Sequence, residues 1–237
     1  MSQCGWSMAL AVSVAGSLAT IASAQSQAGA TSETGTLITR RLAQVRGETT
    51  LEARKTLREF GGCVVAKRLG ASEALLDQAV DSKQYRQKMY ALVDEECFSS
   101  GEMTVPQELL RGAVFEALYL REFSHGPNSN LKSASSFDYF APYSRPYSEE
   151  AQNTVGLAVV ADCAVRTSPV AAHALLTSVP GSPQEDRTIG ELARILPGCV
   201  PPGRTFHFSR SIIRGSVAEA MLRLSRSTRQ QQASASK

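Results

Sequence analysis

Cysteine is the residue type in this chain whose number and spacing could support chemistry: thiol catalysis, metal binding or disulfide formation. A reactive or metal-binding cysteine would need a CxxC pair or histidines close by, and the chain has neither pattern. Apart from Cys4 near the start, the cysteines are Cys63, Cys97, Cys163 and Cys199. Four cysteines can form two disulfides in three different pairings. We expect these cysteines to be structural.

Histidine, serine and acidic residues offer no recognisable catalytic pattern. The three histidines, His125, His173 and His207, are scattered and form no HExxH or other closely spaced metal pair. Two SxxK matches, at 129–132 and 234–237, lie in a Pro/Ser-rich loop and in a basic tail, whereas that chemistry needs serine at the start of a buried helix. GxSxG, GxxxxGK[ST] and GxGxxG motifs are absent. We therefore predict no catalytic residue, no metal and no cofactor.

The first residues have the features of a secretory signal peptide, predicted over 1–24. An apolar run over 8–21 precedes the sequence Ala-Ser-Ala, a typical cleavage site. Nothing later approaches the roughly 20 apolar residues that a membrane span requires. We expect residues 25–48 to be flexible, and a short helix over 37–45 is compatible with the sequence. The mature protein is predicted to be periplasmic or secreted, without a transmembrane segment.

The formal net charge of +3 comes from the last residues of the chain. The segment RLSRSTRQQQASASK contains four basic residues and no acidic one, and the remainder is nearly balanced. Such a segment could contact nucleic acid or anionic lipid, but a solvated end is more common. Because an exported chain seldom meets nucleic acid, we expect no nucleic-acid partner. Residues 227–237 are predicted to form a disordered basic tail.

Two stretches about a hundred residues apart share the pattern RGxVxEA. They are LLRGAVFEAL at 109–118 and IIRGSVAEAM at 212–221, related by a shift of 103 residues. A shift of 100 also places the ALL sequence at 74–76 on the ALL sequence at 174–176. Because such matches follow the same order along the chain, they indicate an internal duplication.

The duplication also selects one of the three disulfide pairings. A shift of 100 places Cys63 on Cys163, and a shift of 102 places Cys97 on Cys199. If the two copies fold alike, each closes its own bridge, which predicts disulfides Cys63–Cys97 and Cys163–Cys199. By loop entropy, bridges of this span stabilise a fold by up to about 4 kcal/mol each.

Helix signals recur at matching places in both copies. In the second copy Ser148, Ser168 and Ser182 are expected to cap helices, with Pro169 at the first helical position after Ser168. No sustained alternation of apolar and polar residues indicates a sheet. The sequence predicts an all-α fold of two tandem four-helix repeats, each held by a disulfide and packed with pseudo-two-fold symmetry. Repeat 1 is expected over 49–123 and repeat 2 over 148–226, joined by a connector over 124–147.

The fourth helix of each copy is apolar on two faces, which predicts a central position in the fold. Gly112 and Gly215 lie in the middle of these helices. Glycine there costs about 1 kcal/mol relative to alanine unless close packing offsets the cost. We therefore expect the two fourth helices to approach each other closely.

Four charged residues flank the second face of these helices: Arg111 and Glu116 in the first copy, and Arg214 and Glu219 in the second. If the copies meet through this face with two-fold symmetry, Arg111 pairs with Glu219 and Arg214 pairs with Glu116. The alternative is that the two arginines bind an anion in a pocket. Their place in an otherwise apolar helix favours the ion pairs.

The connector between the copies is rich in serine, proline and aromatic residues. Its aromatic residues are Phe137, Tyr139, Phe140, Tyr143 and Tyr147. They are candidates for a binding surface or for a lid over a groove. The alternative is that they anchor a long connector onto the helices.

The segments FGGCVVAKR and VADCAVRTSP, with the twice-used RGxVxEA helix and the amino-terminal signal, carry a family resemblance. The chain resembles exported, periplasmic proteins of sphingomonad-type alphaproteobacteria, over most of residues 50–225. The resemblance implies an exported protein and no particular activity. A shorter stretch, CVPPGRT, is similar to small periplasmic immunity proteins that have helices and disulfides.

Two functional hypotheses follow from the sequence. The first is a non-enzymatic periplasmic module that binds a protein or an envelope component. The second is a periplasmic hydrolase whose dispersed carboxylates form no recognisable motif. A pocket with converging titratable groups would favour the hydrolase, and an exposed groove or patch would favour the binding module.

Overall fold

Helices make up the regular structure of this protein. A computed structural model describes residues 50–92, 95–97, 105–127 and 130–236, and within these it contains eight α-helices, two short 3₁₀ turns and no strand. The α-helices are α1 Leu51–Lys67, α2 Leu69–Leu75, α3 Lys83–Ala91, α4 Gln107–Phe123, α5 Glu149–Thr167, α6 Pro169–Thr177, α7 Pro183–Cys199 and α8 Arg210–Ala235. The 3₁₀ turns are Glu95–Cys97 and Leu131–Ser133. The prediction of an all-α fold is confirmed.

Serine and threonine side chains set where many of these helices begin. Thr50, Ser82, Ser148, Ser182 and Ser209 each accept a hydrogen bond from the backbone N–H three residues later, at 3.0–3.2 Å. Each such cap satisfies an N–H group that the first helical turn leaves unpaired, and stabilises the helix by about 1 kcal/mol. Two of them, Ser148 and Ser182, are caps expected from the sequence. Ser168, the third expected cap, precedes Pro169 at the start of α6, but its hydroxyl makes no cap hydrogen bond and donates to Glu191 at 3.0 Å instead.

Helices α4 and α8 cross at the centre of the fold. Helix α4 packs against α1 and α8, and α8 packs against α4, α5 and α6. At the crossing Gly112 faces Gly215, and a Cβ atom on Gly112 would lie only 2.6 Å from the Cα atom of Gly215. Val114, Phe115 and Met221 are fully buried around it. Glycine offsets its low helix propensity here because it lets the two backbones touch.

Two disulfides fasten the helices. Cys63 on α1 is bonded to Cys97 in the first 3₁₀ turn, and Cys163 on α5 is bonded to Cys199 at the end of α7. These are the pairings expected from the repeat, with sequence separations of 34 and 36 residues. The halves differ in detail, because α3 has 9 residues and ends before its cysteine, whereas α7 has 17 and includes it.

The last helix continues beyond the predicted end of the second repeat at residue 226. Helix α8 runs to Ala235, so residues 227–235 are helical and not the disordered tail expected from the sequence. Arginine, glutamine and alanine in this segment have high helix propensity, and Arg229 donates to Glu122 on α4 at 2.5 Å. Arg229, which has no acidic neighbour in the sequence, therefore has an acidic partner on another helix.

The predicted signal peptide (1–24), flexible segment (25–48) and short helix (37–45) lie outside the described residues. The described residues all belong to one contact unit, Thr34–Lys237. Among them, no single helix has both the length and the hydropathy to cross a membrane. Helices α5 and α6 meet these criteria only when they are taken together across a 110° bend.

Candidate functional site

Two buried arginine–glutamate pairs join α4 to α8. Arg111 donates to Glu219, with Nη2–Oε1 at 2.7 Å and Nε–Oε2 at 3.2 Å. Arg214 donates to Glu116, with Nε–Oε2 at 2.7 Å and Nη2–Oε1 at 2.8 Å. All four side chains are at most 8% exposed. These are the reciprocal pairs expected from the repeat, and each uses both carboxylate oxygens, which is the strongest arrangement for such a pair.

Arg214 has further acceptors within the protein. It donates to the backbone oxygens of Leu176 and Ser178 at 2.9 and 2.8 Å. Arg58 of α1 donates to the same two backbone oxygens at 3.2 and 2.6 Å, and pairs with Glu116 at 3.0 Å. Arg214 therefore joins α8 to α4 and to the end of α6. Because protein acceptors already occupy its N–H groups, this arginine is not available to a bound anion.

Glu185 near the start of α7 is the second acidic residue of this cluster. It accepts hydrogen bonds from Arg54 of α1 and from the backbone N–H of Gly181, both at 2.7 Å, and from Arg214 at 3.2 Å. Burial would raise the pKa of Glu185, but the Gly181 N–H group and Arg54 outweigh it and hold the pKa below the usual 4.5. This carboxylate therefore stays ionised at neutral pH.

Arg111 has aromatic as well as acidic neighbours. Its guanidinium carbon lies 4.7 Å from the ring centre of Phe115 and 5.6 Å from that of Tyr85, a cation–π arrangement. Its partner Glu219 also accepts from Arg223 at 2.9 Å. Burial would raise the pKa of Glu219, but Arg111 and Arg223 outweigh it and hold the pKa below 4.5. This second cluster is likewise internal and structural.

Two aromatic residues of the connector cover the surface between α5 and α8. Tyr139 is 5% exposed, and its hydroxyl donates to the buried Asp162 at 3.2 Å. The backbone N–H of Phe137 donates to the same oxygen at 3.2 Å, and Arg166 donates to the other oxygen at 2.7 Å. The guanidinium of Arg223 lies over both rings, 4.9 Å from Phe137 and 5.9 Å from Tyr139. These two rings are therefore packing groups.

The other three connector aromatics are half-buried as well. The Tyr143 hydroxyl accepts from the backbone N–H of Val80 at 3.4 Å, and the rings of Phe140 and Tyr147 are in contact at 4.7 Å. The structure therefore does not bring the five aromatic residues together as an open binding surface. They anchor the connector, because burying aromatic area opposes the entropic cost of ordering a long loop.

An open groove of about 330 Å³ lies between α1 and α4. Its apolar lining consists of Gly62, Val65, Ala66, Ala113, Ala117 and Leu120. Arg58, its partner Glu116, and Arg121 complete the lining. Arg121 is exposed and forms no ion pair with any of the described residues. The groove thus combines an apolar surface with one unpaired positive charge.

Consecutive glycines on α1 shape this groove. A Cβ atom on Gly61 would come within 2.7 Å of the backbone oxygen of Ala113, so Gly61 lets α1 and α4 approach closely. Gly62 is exposed, and a Cβ atom there would meet nothing within 4 Å. The groove is missing from the sequence-based expectations. The paired glycines of FGGC are the feature of the sequence that could have indicated it.

The histidines give no catalytic arrangement. The Tyr119 hydroxyl and His173 Nδ1 are hydrogen-bonded at 2.8 Å. Burial raises the pKa of Tyr119 and lowers the pKa of His173, so both are neutral at neutral pH. His125 and His207 lie in loops. Across the residues that the structure describes, no three His, Cys, Asp or Glu side chains are grouped so that they could hold a metal ion.

Comparisons with known protein families, curated proteins and solved structures find no match for this chain. The function therefore has to be argued from geometry. The two arginine–glutamate clusters are internal, whereas the groove between α1 and α4 opens to solvent and is the better candidate for a functional site.

Proposed function

We propose that this protein is an exported, non-enzymatic interaction module whose groove between α1 and α4 binds a segment of a partner protein. The observation that carries the proposal is the open groove of about 330 Å³, with its apolar lining and with Arg121, which has no ion-pair partner among the described residues. Binding sites commonly combine a concave, mainly apolar surface with a few charged groups that orient the ligand. Gly62 keeps this surface accessible.

The walls of the groove are held in place before any ligand binds. Gly61 brings α1 against Ala113 of α4, and Arg58 pairs with Glu116 across the same two helices. Cys63, the residue after Gly62, is covalently bonded to Cys97. A rigid site loses little conformational entropy on binding, so these contacts favour recognition.

Export is the second part of the proposal. Disulfides persist in oxidising compartments and are rare in the cytosol, and this chain has two of them. Together with the signal peptide predicted over 1–24, they support a periplasmic or secreted protein. A partner would then be another exported protein or a component of the envelope.

An origin by internal duplication is the third part. The contact of Gly112 with Gly215, the reciprocal pairs Arg111–Glu219 and Arg214–Glu116, and the similar disulfide spacing in each half all support two tandem repeats related by a pseudo-two-fold axis. On this proposal the fourth helices form the interface between the repeats, and each repeat carries its own surface between its first and fourth helices.

The hydrolase hypothesis has less support. The buried acids Glu116, Asp162, Glu185 and Glu219 are each paired with an arginine. The lowered pKa values of Glu185 and Glu219 keep these side chains ionised, whereas a general acid at neutral pH needs a raised pKa. The geometry therefore favours binding over acid–base catalysis.

Site-specific photo-crosslinking tests the proposal. A photoreactive phenylalanine analogue would replace Gly62 in the groove, and Gly190 in a control variant. Gly190 is a matched control because it is also an exposed helical glycine, and a Cβ atom added there would meet nothing within 4 Å. The variants would be irradiated in the cells that produce the protein, and any crosslinked partner would be identified and purified.

We expect a crosslinked partner at position 62 and none at position 190, because covalent capture is irreversible and accumulates even where an aromatic side chain at position 62 lowers the affinity. The purified partner should then bind the unmodified protein, and Gly62→Trp should weaken that binding by about tenfold or more, the loss of one well-packed contact region. Equal crosslinking at both positions, or equal affinity of the Gly62→Trp and Gly190→Trp variants, would contradict a role for the groove.

A further inference from the structure

We infer that the ligand of the groove is a peptide segment that places an aromatic side chain between α1 and α4 and a carboxylate on Arg121. This inference rests on the proposed function and specifies its ligand class. It comes from the surface between α5 and α8, which corresponds by the repeat to the groove between α1 and α4 and is already occupied by a segment of the chain itself.

The correspondence can be followed residue by residue. On the first helix of each half, a shift of 100 relates Arg58 to Ala158 and Gly62 to Asp162. On the fourth helix, a shift of 103 relates Leu120 to Arg223. The first member of each pair lines the groove. The second members, Ala158, Asp162 and Arg223, contact the connector.

The connector shows how this kind of surface takes a peptide. Phe137 and Tyr139 pack towards the helices, while Asp138 between them is exposed, in an irregular segment in which a turn begins at Tyr139. Tyr139 packs with Ala158 and donates to Asp162. Arg223 lies over both rings. An aromatic residue in a segment without helix or strand therefore fits between the first and fourth helices of the second half.

The first half presents different chemistry on the same kind of surface. Gly62 stands where the second half has Asp162, so the carboxylate that accepts from a tyrosine hydroxyl and a backbone N–H is absent and the space is open. Arg121 stands where the second half has the apolar Leu224. The occupant must therefore bring its own negative charge.

The position of Arg121 sets where that charge should lie. Glu116, which is already paired with Arg58 and Arg214, precedes Arg121 by five residues on α4, roughly 7.5 Å along the helix axis. Arg121 therefore lies at one end of the groove, away from the paired Arg58 and Glu116. A carboxylate next to an aromatic residue in the ligand can reach it while the ring lies over Gly62, Ala66 and Ala117.

A peptide copied from the connector is the probe we would use. The sequence ASSFDYFA, residues 134–141, holds two inward-facing aromatic residues with a carboxylate between them. The peptide would be labelled with fluorescein and titrated with the oxidised full chain, with fluorescence anisotropy as the measurement. The variants would be Gly62→Trp in the groove and Gly190→Trp as the matched control, each checked by circular dichroism and thermal melting.

We expect the labelled peptide to bind, with affinity lowered by about tenfold or more in Gly62→Trp and unchanged in Gly190→Trp. Arg121→Glu, an exposed change that leaves the core intact, should weaken binding by about two- to fivefold, the range for an exposed ion pair. A peptide with asparagine in place of the aspartate should bind the unmodified protein and Arg121→Glu about equally.

The absence of peptide binding would overturn the inference, and so would binding that Gly62→Trp leaves unchanged. Binding that appears only after removal of residues 25–49 would overturn it as well, because it would assign the groove to a segment of the same chain. A fatty acid that binds when the peptide does not would also overturn it. If the peptide fails while crosslinking at position 62 still identifies a partner, the ligand class is wrong and the proposed function stands.

Discussion

The contact between Gly112 and Gly215 at the crossing of α4 and α8 leaves no room for a side chain, so we expect Gly112→Ala to destabilise the fold. In the variant Gly112→Ala, the new Cβ atom would lie 2.6 Å from the Cα atom and 3.5 Å from the carbonyl carbon of Gly215. Carbon atoms in favourable contact lie about 3.5–4.0 Å apart. The two helices would therefore have to separate by roughly 1 Å at the centre of the core.

Two opposing effects set the magnitude. Alanine gains about 1 kcal/mol over glycine inside a helix. Overpacking a core costs about 1–3 kcal/mol, and the upper end applies here because backbone atoms on both sides meet and cannot rotate away. The separation would also lengthen the flanking pairs Arg111–Glu219 and Arg214–Glu116. We therefore expect a net loss of about 2 kcal/mol in the free energy of unfolding, or about 4–8 °C in Tm.

Urea denaturation of the oxidised protein, followed by circular dichroism, is the assay. Gly190→Ala is the matched control, because a Cβ atom there meets nothing within 4 Å and the variant should gain up to about 1 kcal/mol. The reasoning would be refuted if Gly112→Ala were as stable as Gly190→Ala. That result would mean that the helices do not touch through these two glycines.

Two other predictions concern the buried charges. Arg214→Ala and Glu116→Ala should each cost about 2–3 kcal/mol, because each removes a doubly hydrogen-bonded partner from a buried charge cluster in which Arg58 and Glu185 compensate only in part. A double-mutant cycle by thermal melting should give a coupling of about 1–3 kcal/mol, so additive effects would refute the pairing. Because the folded pKa of Glu219 is depressed, its contribution to stability is present above the unfolded value near 4.5 and is lost as the pH falls through the folded pKa. Glu219→Gln should therefore be less stable than the unmodified protein at neutral pH, and the gap should narrow in melts below pH 4.5; a constant gap would contradict this linkage.

The ion pairs, the glycine contact and the disulfide pairings could be predicted from the sequence because the residues that form them occur in both copies. Arg111 and Glu116 recur as Arg214 and Glu219 at one fixed offset, so a symmetrical meeting of two helices leaves few ways to pair them. The mid-helix Gly112 and its counterpart Gly215 indicated close approach for the same reason.

Contacts that join residues far apart and without a repeated pattern could not be predicted in this way. Arg226 on α8 donates to both carboxylate oxygens of Glu73 on α2, at 2.8 and 2.7 Å, across 153 residues of sequence. It also pairs with Glu122 on α4. In the sequence this arginine belongs to a basic segment without acids, so its charge looked unpaired until the fold brought α2 and α4 beside it.

The sequence also could not show whether the connector's aromatic side chains face solvent or the helices. Composition alone showed that the connector is aromatic, and both a binding surface and an anchor fit that composition. Asp162 decides between them, because a buried carboxylate needs donors, and Tyr139 and the Phe137 backbone supply them. The groove escaped notice for a related reason: Gly62 contributes to it by the absence of a side chain.

The crossing of α4 and α8 has a consequence for how the chain matures. Helix α8 supplies Glu219 to Arg111 and Arg214 to Glu116. Until residues 210–235 have been synthesised and have docked, Arg111 therefore lacks its acidic partner and Glu116 has only Arg58 of α1. Cys63 and Cys97 both precede α4 and can be oxidised much earlier. In an oxidising compartment the first disulfide can therefore close before the chain is complete, whereas the core itself is completed only after the final helix arrives.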